Sequence, residues 1–557
     1  LNSTAEKGPP LLLSDLGICE PSSSISPAGV KDHWRLIDYE TETGLSGRML
    51  YSGEEGVPED ISMPLDLKGW HRIYVGLGAT NLLCTASPPG VRLKLDQDPC
   101  YVKICSLGST YWIELREYFW KEACLEGDRI HFAKVKGSQS CVAYVRFEPM
   151  SDEEIEHVKA RRMDSEGRCL TATNDSDWEY NSVDEIFEVI LPLKDSPVGK
   201  LFFCIACGDV CYYLDTKVGN RLKLRPGMEC PRSIDRKIVE GLDHLNSVEP
   251  DVLGKVCDFT HEIGLEFHAS FRVGAFAGQP PYDAHFSSEF FMHHPQFRCR
   301  DIDGREIARM SYAFEEVQNH MLDLYEETLG YDIDGLNLIF VRALPMMLYE
   351  EPLLNGFRNA YGKNPLELDE HDPDFLAYRA GVLTEFMRRV RSRVDTVRQK
   401  QGRGRIPISA ICAANERVNT FFGLDLKTWA EEGIVDIIAP DFSLQGRDHD
   451  DWDPDTIDID YFLSVVAGTD CQLLPRLPHY AQQDEYAEYF RRMRNCGVRG
   501  MYLWDAEANY FQKPEQWAYI RTVGDADSPD EVRAPKRILL KSLGDFVTDK
   551  YPAHMAF

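Results

Sequence analysis

The spacing of apolar and polar positions changes character along this chain. Up to residue 150, short runs rich in β-branched and aromatic residues recur: HWRLIDYE, GWHRIYVGL, VRLKLD, CYVKIC, YWIELREYF, RIHFAKV and CVAYVRFEP. Turn signals such as SPPG, EGD and KGSQ separate them. Such regularly spaced short strands predict a β-rich, sandwich-like domain over residues 1–150. SDEEIEHVKARRM follows, and its opening Ser151 with acids in the first turn predicts a polar linking helix over 151–163.

From residue 164, fully apolar segments alternate with amphipathic ones. Eight of them read as buried strands: RCLTATND, KLFFCIACGD, GLEFHASFR, DGLNLIFVR, IPISAICAANE, IVDIIAPD, CQLLPRLPH and VRGMYLWDAE. The clearest helix between them carries Phe375, Tyr378, Val382, Phe386, Val390, Val394 and Val397 on one face. Apolar strands joined through helices predict a parallel sheet covered on its outer side. Eight such units over 164–525 have the count and size of a (β/α)₈ TIM barrel. A doubly wound sheet would want an early glycine-rich phosphate turn, and the sequence has none. The expected fold is therefore α/β, a (β/α)₈ barrel preceded by a β-sandwich-like domain. Residues 526–557 open on the polar DADSPDEVRAPK and continue into RILLKSLGDFV, which predicts an extension packing back on the other domains.

Composition narrows the function. The 557 residues are 43% hydrophobic and 27% charged, the proportions of a globular chain. Sixty-one basic against 91 acidic residues leave a formal net charge of -30, so no basic footprint for nucleic acid dominates. No apolar run approaches the roughly 20 residues of a membrane span. The start on Leu1 fits a trimmed leader or tag. Localisation is left open between a secreted or periplasmic site and the cytoplasm, which the scattered cysteines mildly favour. Sixteen cysteines are too sparse for a disulfide scaffold, and Cys204, Cys207 and Cys211 in FFCIACGDVC read as buried strand thiols rather than zinc ligands.

In a barrel, reacting groups stand at the carboxyl ends of the strands. Those ends offer Asp175; Asp209 and Tyr213; His268, Ser270 and Arg272; and Arg342 with Tyr349, Glu350 and Glu351. The later strands offer Asn415 and Glu416; Asp441; Arg476 and His479; and Trp504, Asp505 and Glu507. Clustered carboxylates with aromatics suit glycoside hydrolysis, in which one protonated acid serves the leaving oxygen and an ionised partner attacks or activates water. The catalytic candidates are Glu350, Glu351, Glu416, Asp441, Asp505 and Glu507. The substrate-binding candidates are Asp209, Tyr213, His268, Arg272, Arg342, Tyr349, Asn415, His479 and Trp504, with Trp452 a further ring for stacking on sugar.

The stretches GLEFHASFR, HHPQFRCRDIDG and MSYAFEEVQNHMLDLYEETLGYDIDGLNLIFVR resemble the glycosyl-hydrolase-like barrels of bacterial lipoproteins and planctomycete-type secreted proteins. The matching positions are His268, His294, Pro295, Phe297, Asp301, Gly304, Asp334, Gly335 and Arg342. The resemblance spans residues 164–525 and is best in the middle. It implies a barrel acting on O-glycosidic bonds, yet this sequence has Ile339 where many relatives carry an acid on the fourth strand. Strand seven ends in Arg476 and His479 rather than a carboxylate. A catalytic pair would then join Glu350 or Glu351 to Glu416, Asp441, Asp505 or Glu507.

Plainer readings stand beside these. Glu350 and Glu351 would cap the helix starting near Pro352, and Asp505 and Glu507 the helix after YLW. His268 reads equally as a core histidine. His285, His293 and His294 give a weak metal alternative. DHDDWDPDTIDID (448–460) lacks the glycine of an EF-hand loop and reads as a solvated acidic loop. Lys217, Arg221, Lys223, Arg225 and Arg232 leave room for an anionic sugar. The expected function is a glycoside hydrolase for a poly- or oligosaccharide, without cofactor or metal, open to forming a homodimer. The alternative is a non-catalytic glycan-binding protein on the same scaffold, and less favoured is a metal-dependent hydrolase.

Overall fold

The computed structural model describes residues 8–26, 28–79, 89–106, 114–163, 168–175, 180–223, 230, 232–277, 287–342, 344–442, 457–478, 483–511, 513–521 and 534–544. The chain is mixed α/β, with two largely antiparallel sheets formed by residues up to 150 and the strand Lys536–Leu543, and one largely parallel sheet between.

In the front part, strands such as Trp34–Thr41, Lys68–Ala79, Glu114–Glu126 and Ser140–Pro149 join one eight-stranded sheet. Ile61–Pro64, Gly90–Leu95, Val102–Cys105 and Arg129–Lys134 make a four-stranded one. Alternation sends one face of each strand inward, so Leu50, Ile73, Val75, Leu93, Phe132 and Val145 share one buried core. The strand Lys536–Leu543 pairs antiparallel with Trp34–Thr41 and with Glu114–Glu126, so this late segment lies inside the front sheet.

Helix Asp152–Met163 leads onward, its start fixed by a capping box. Glu154 N donates to Ser151 Oγ at 3.3 Å, and Ser151 N donates to Glu154 Oε2 at 2.7 Å.

The parallel strands are β1 (Leu170–Asn174), β2 (Val198–Cys207), β3 (Glu266–Arg272), β4 (Gly335–Ile339), β5 (Ile408–Ala413), β6 (Ile437–Asp441), β7 (Gln472–Leu473) and β8 (Met501–Leu503). Each pairs in parallel with the next from β1 to β7, and β8 pairs with β1. Just after β7, Leu477 N donates to Tyr502 O at 2.8 Å and Tyr502 N donates to Pro475 O at 3.1 Å.

Helices alternate with these strands along the chain. In Pro373–Gln401, Phe375, Phe386, Val390, Val394 and Val397 are buried, as their spacing requires, and Asp372 caps the start. Contacts between front and rear include Arg116 to Glu515 at 2.7 Å and Arg521 Nη1 donating to Trp120 O at 3.2 Å. Among the described residues no helix is long and apolar enough to cross a membrane.

Candidate functional site

Residues two apart on a strand share a side, so one side of the parallel sheet can be followed position by position. Phe202, Ile339, Ile411, Ala439, Leu474 and Tyr502 belong to one buried cluster there. Ile339 is thus packed among apolar neighbours at the place where the resemblance implied an acid. One polar row crosses the same side. Asn337 Nδ2 donates to Ser270 Oγ at 2.6 Å, and Ser409 Oγ donates to Asn337 Oδ1 at 3.0 Å.

His268 lies nearer the strand starts, opposite Gly335, the first residue of β4. It is fully buried, with Nε2 3.3 Å from Glu266 Oε2, and burial pushes its pKa down. It therefore lies away from the strand end, since β3 continues four residues further to Arg272.

The carboxyl ends hold two carboxylate–arginine pairs. Asp441, the last residue of β6, faces Arg476 and Tyr502. Arg476 Nη1 stands 3.2 Å from both Asp441 oxygens, and Tyr502 OH donates to Oδ2. All three are buried. Burial first, then the Asp441 charge, pushes the Tyr502 phenol well above its usual pKa, which keeps it a donor. The Arg476 guanidinium also lies over the Phe442 ring at 4.5 Å and the Trp504 ring at 5.5 Å.

The second pair joins β1 to β3. Arg272 Nη2 lies 2.5 Å from Asp175 Oδ2, and Nε donates to Oδ1 at 2.9 Å. Asp175 N donates to Asp505 Oδ1 at 2.7 Å, while Asp505 N donates to Thr173 Oγ1 at 2.9 Å. Asp505 has φ +46, a left-handed backbone that costs a non-glycine residue energy and persists only when its surroundings impose it. Arg342 is exposed, its guanidinium 4.9 Å from the Trp504 ring, and no carboxylate bonds it among the described residues.

Other candidates have packing or capping duties. Glu350 is 1% exposed and accepts from Arg300 N at 2.7 Å, Leu348 N at 2.9 Å and Ser311 Oγ at 2.9 Å. Burial raises its pKa, and these bonds work the other way. Its carboxylate therefore ties the hairpin Arg298–Arg300/Glu306–Met310 to the loop after β4. Glu351 is exposed in the first turn of helix Glu351–Tyr361. Asn415 Oδ1 caps helix Glu416–Phe421 by accepting from Val418 N at 3.0 Å, leaving Glu416 exposed at its start. Asp209 is buried against His320 Nε2 at 2.9 Å, and Tyr213 is buried beside Phe203. Both sit in packing rather than on an open surface. Tyr349 is half-buried against Phe375, and Glu507 opens the π-helical turn Glu507–Phe511. His479, Trp452, His285, Arg225 and most of the acidic loop lie outside the described residues.

Two contributors were missed in the sequence. Tyr502 carries a period-two signal, since it stands on β8 two residues before Trp504, which directly follows that strand. Asn419 has no such signal. It exchanges bonds with both backbone groups of Ala413 at 2.9 Å and fixes the turn after β5.

In the basic segment, Arg232 is paired with Asp235 at 2.6 Å and Arg221 lies 3.9 Å from Asp215. His293 is exposed, and His294 packs between Phe290 and Phe297. Among the described residues no three His, Cys, Asp or Glu side chains converge as metal ligands. Cys204, Cys207 and Cys211 are buried.

No curated protein matches the sequence. Among solved structures, the chain is similar to the PgaB (BpsB) glycoside hydrolase domain from Bordetella bronchiseptica at 13% identity and TM-score 0.44, over 65% of this chain and 99% of that one. It is similar to the β-amylase catalytic domain from Paenibacillus polymyxa at 11% identity and TM-score 0.44, with the same coverage. The α-galactosidase TtGalA from Thermus thermophilus aligns at 11% identity and TM-score 0.36, over 88% of this chain and 94% of that one. Residues 239–446, less than half of the chain, match the model of the family glycosyl hydrolase-like 10, and that segment is what the chain has in common with the family.

Proposed function

We propose that the parallel strands form a (β/α)₈ barrel over residues 164–525. A β-sandwich over 1–150 stands before it, with a helical linker over 151–163 and a C-terminal extension over 526–557. The order of parallel pairings from β1 to β8, with β8 beside β1, supports the barrel. The carboxyl ends of its strands are then the working face.

At that face we infer cleavage of an O-glycosidic bond in a poly- or oligosaccharide. The observation that carries this reading is Asp441, a buried carboxylate at the end of β6 gripped by Arg476 and Tyr502. A cation and a hydroxyl donor on one carboxylate favour its charged form, the form that attacks or stabilises the sugar carbon. Asp505 is our candidate for the proton donor, since its strained backbone lies just past the carboxyl end of β8, the strand that pairs with β1. Arg342, exposed above Trp504, would hold a hydroxyl or a carboxylate of the sugar. The glycosyl-hydrolase-like family match supports the chemistry class.

The test is release of reducing ends from a panel of neutral and uronate-containing oligosaccharides. Asp441→Asn and Asp505→Asn, assayed at a temperature where urea unfolding shows each to be folded, should each lower turnover by about 10²–10⁴ while binding is kept. Full turnover in both variants would remove this pair. Ile339 inside the apolar cluster, and Arg476 in place of a strand-seven acid, favour a second reading, glycan binding without cleavage. Saturable binding with no reducing ends released across the panel would establish that one.

A further inference from the structure

A cavity of about 400 Å³ lies between the front sheets and the parallel-strand unit, and its lining includes none of Asp175, Arg272, Arg342, Asp441, Arg476 or Asp505. Trp70, Phe119, Phe511 and Trp517 stand half-exposed on its wall. Trp517 is set edge-to-face against Phe511 at 4.4 Å, which fixes the angle of its ring.

The charges on the wall do not cancel. Asp98 is bonded by Lys121, Asp195 by Arg162 at 3.0 Å, and Glu122 by Arg161 at 3.2 Å. Lys103, half-buried, and Lys194, exposed, are bonded by no carboxylate among the described residues. A local surplus of two ammonium groups in a chain of net charge -30 is a departure from its background. Ammonium groups of this kind pair with an anion as mobile point charges, and two of them set apart on one wall suit the singly charged carboxylates spaced along an acidic sugar chain. Here Arg162 already serves Asp195 and the Trp70 ring, and Arg521 serves the Trp120 carbonyl and the Phe119 ring. Flat rings accept the C–H face of a sugar, and each paired carboxylate keeps lone pairs to which ring hydroxyls can donate. A volume of this order lies within the range of small-ligand sites.

We propose that this cavity is a second carbohydrate site, taking a short uronic-acid oligosaccharide with its carboxylates on Lys103 and Lys194 and a sugar face on Trp517. The site does not depend on whether the strand ends cleave a glycan.

Tryptophan fluorescence and calorimetry on the full chain test it, with trigalacturonate as the probe and maltotriose as its neutral counterpart. Trigalacturonate should bind saturably, and maltotriose at least about tenfold more weakly. The double variant Lys103→Glu/Lys194→Glu, which changes polar-rim side chains and should fold normally, should weaken trigalacturonate by at least about tenfold. Trp517→Ala should do the same, and if it fails to fold the lysine variant decides. Absence of saturable binding would overturn the proposal, as would equal affinity for the neutral trisaccharide or affinity untouched by the lysine variant. Loss of binding in Arg342→Ala instead, an exposed residue at the strand ends, would move the ligand there and also overturn it.

Discussion

Arg476 Nη1 stands 3.2 Å from each oxygen of Asp441, with the two side chains 2% and 0% exposed. A pair so deeply buried cannot lose one member cheaply, because the remaining charge has no water to turn to. Arg476→Met should destabilise the protein by about 3–5 kcal/mol. Adding Asp441→Leu should restore much of the loss, since the uncompensated charge goes too. Urea unfolding of wild type, single and double variants checks this. A single variant as stable as wild type would show that Asp441 does not carry a buried charge.

Glu350 differs from Glu351 beside it in a way that separates stability from chemistry. Its two oxygens receive Arg300 N, Leu348 N and Ser311 Oγ, whereas Glu351 is exposed. Glu350→Ala orphans several buried donors, each worth about 1–3 kcal/mol when left unmade. Glu351→Ala should stay within about 0.5 kcal/mol of wild type. Thermal unfolding of both variants decides. Comparable Tm values for the two would mean that the hairpin finds other acceptors.

The same contrast shows what a sequence conveys. GLEFHASFR announces a buried strand, and alternation sends His268, Ser270 and Arg272 to one side of it. What alternation does not contain is which of the three lies at the carboxyl end. That depends on register against Gly335 and on the strand running through Arg272. Arg272 and Trp504 were legible as strand-end residues, as was Asp441 at the end of an apolar run. Tyr502 was legible in principle, two residues before Trp504. Glu350 and Glu351 were not separable, because their fates are set by Arg300 and Ser311, which are remote in sequence. Asn419 acts through the backbone of Ala413, and a single asparagine inside a helix pattern does not reveal such a bond.

His268 and Glu266 give a pH dependence with a definite sign. Burial depresses the His268 pKa, so the unfolded chain binds a proton that the folded one refuses. Its contribution is present above the ordinary imidazole value of about 6.5 and is lost as pH falls below it. Glu266 is held down to about 2, first by its bond with His268, against burial, and then by Lys200. Its contribution is present above the ordinary carboxyl value and is lost as pH falls toward 2. The Tm difference between wild type and His268→Gln should be flat above pH 7 and shrink between pH 6.5 and 5, by about the imidazole's own titration. A difference that grows on acidification would instead mean a charged imidazolium paired with Glu266.

Gly335 offers the most direct test of how the strand starts are packed. A Cβ built on it would come within 2.0 Å of His268 Nδ1 and 2.5 Å of Cγ, far inside contact distance. The imidazole has little room to yield, since it is fully buried, with Nε2 beside Glu266 and its ring 5.0 Å from that of Phe202. Gly335→Ala should therefore overpack the site and destabilise the protein by about 1–3 kcal/mol. Removing the obstructing ring should relieve the clash, so Gly335→Ala/His268→Ala should lose less than the sum of the two single changes. The double-mutant cycle isolates that coupling, which neighbours in contact show and distant sites do not. Additive losses would mean that the alanine methyl meets the backbone of β3 rather than the histidine, and that the glycine answers to strand spacing alone.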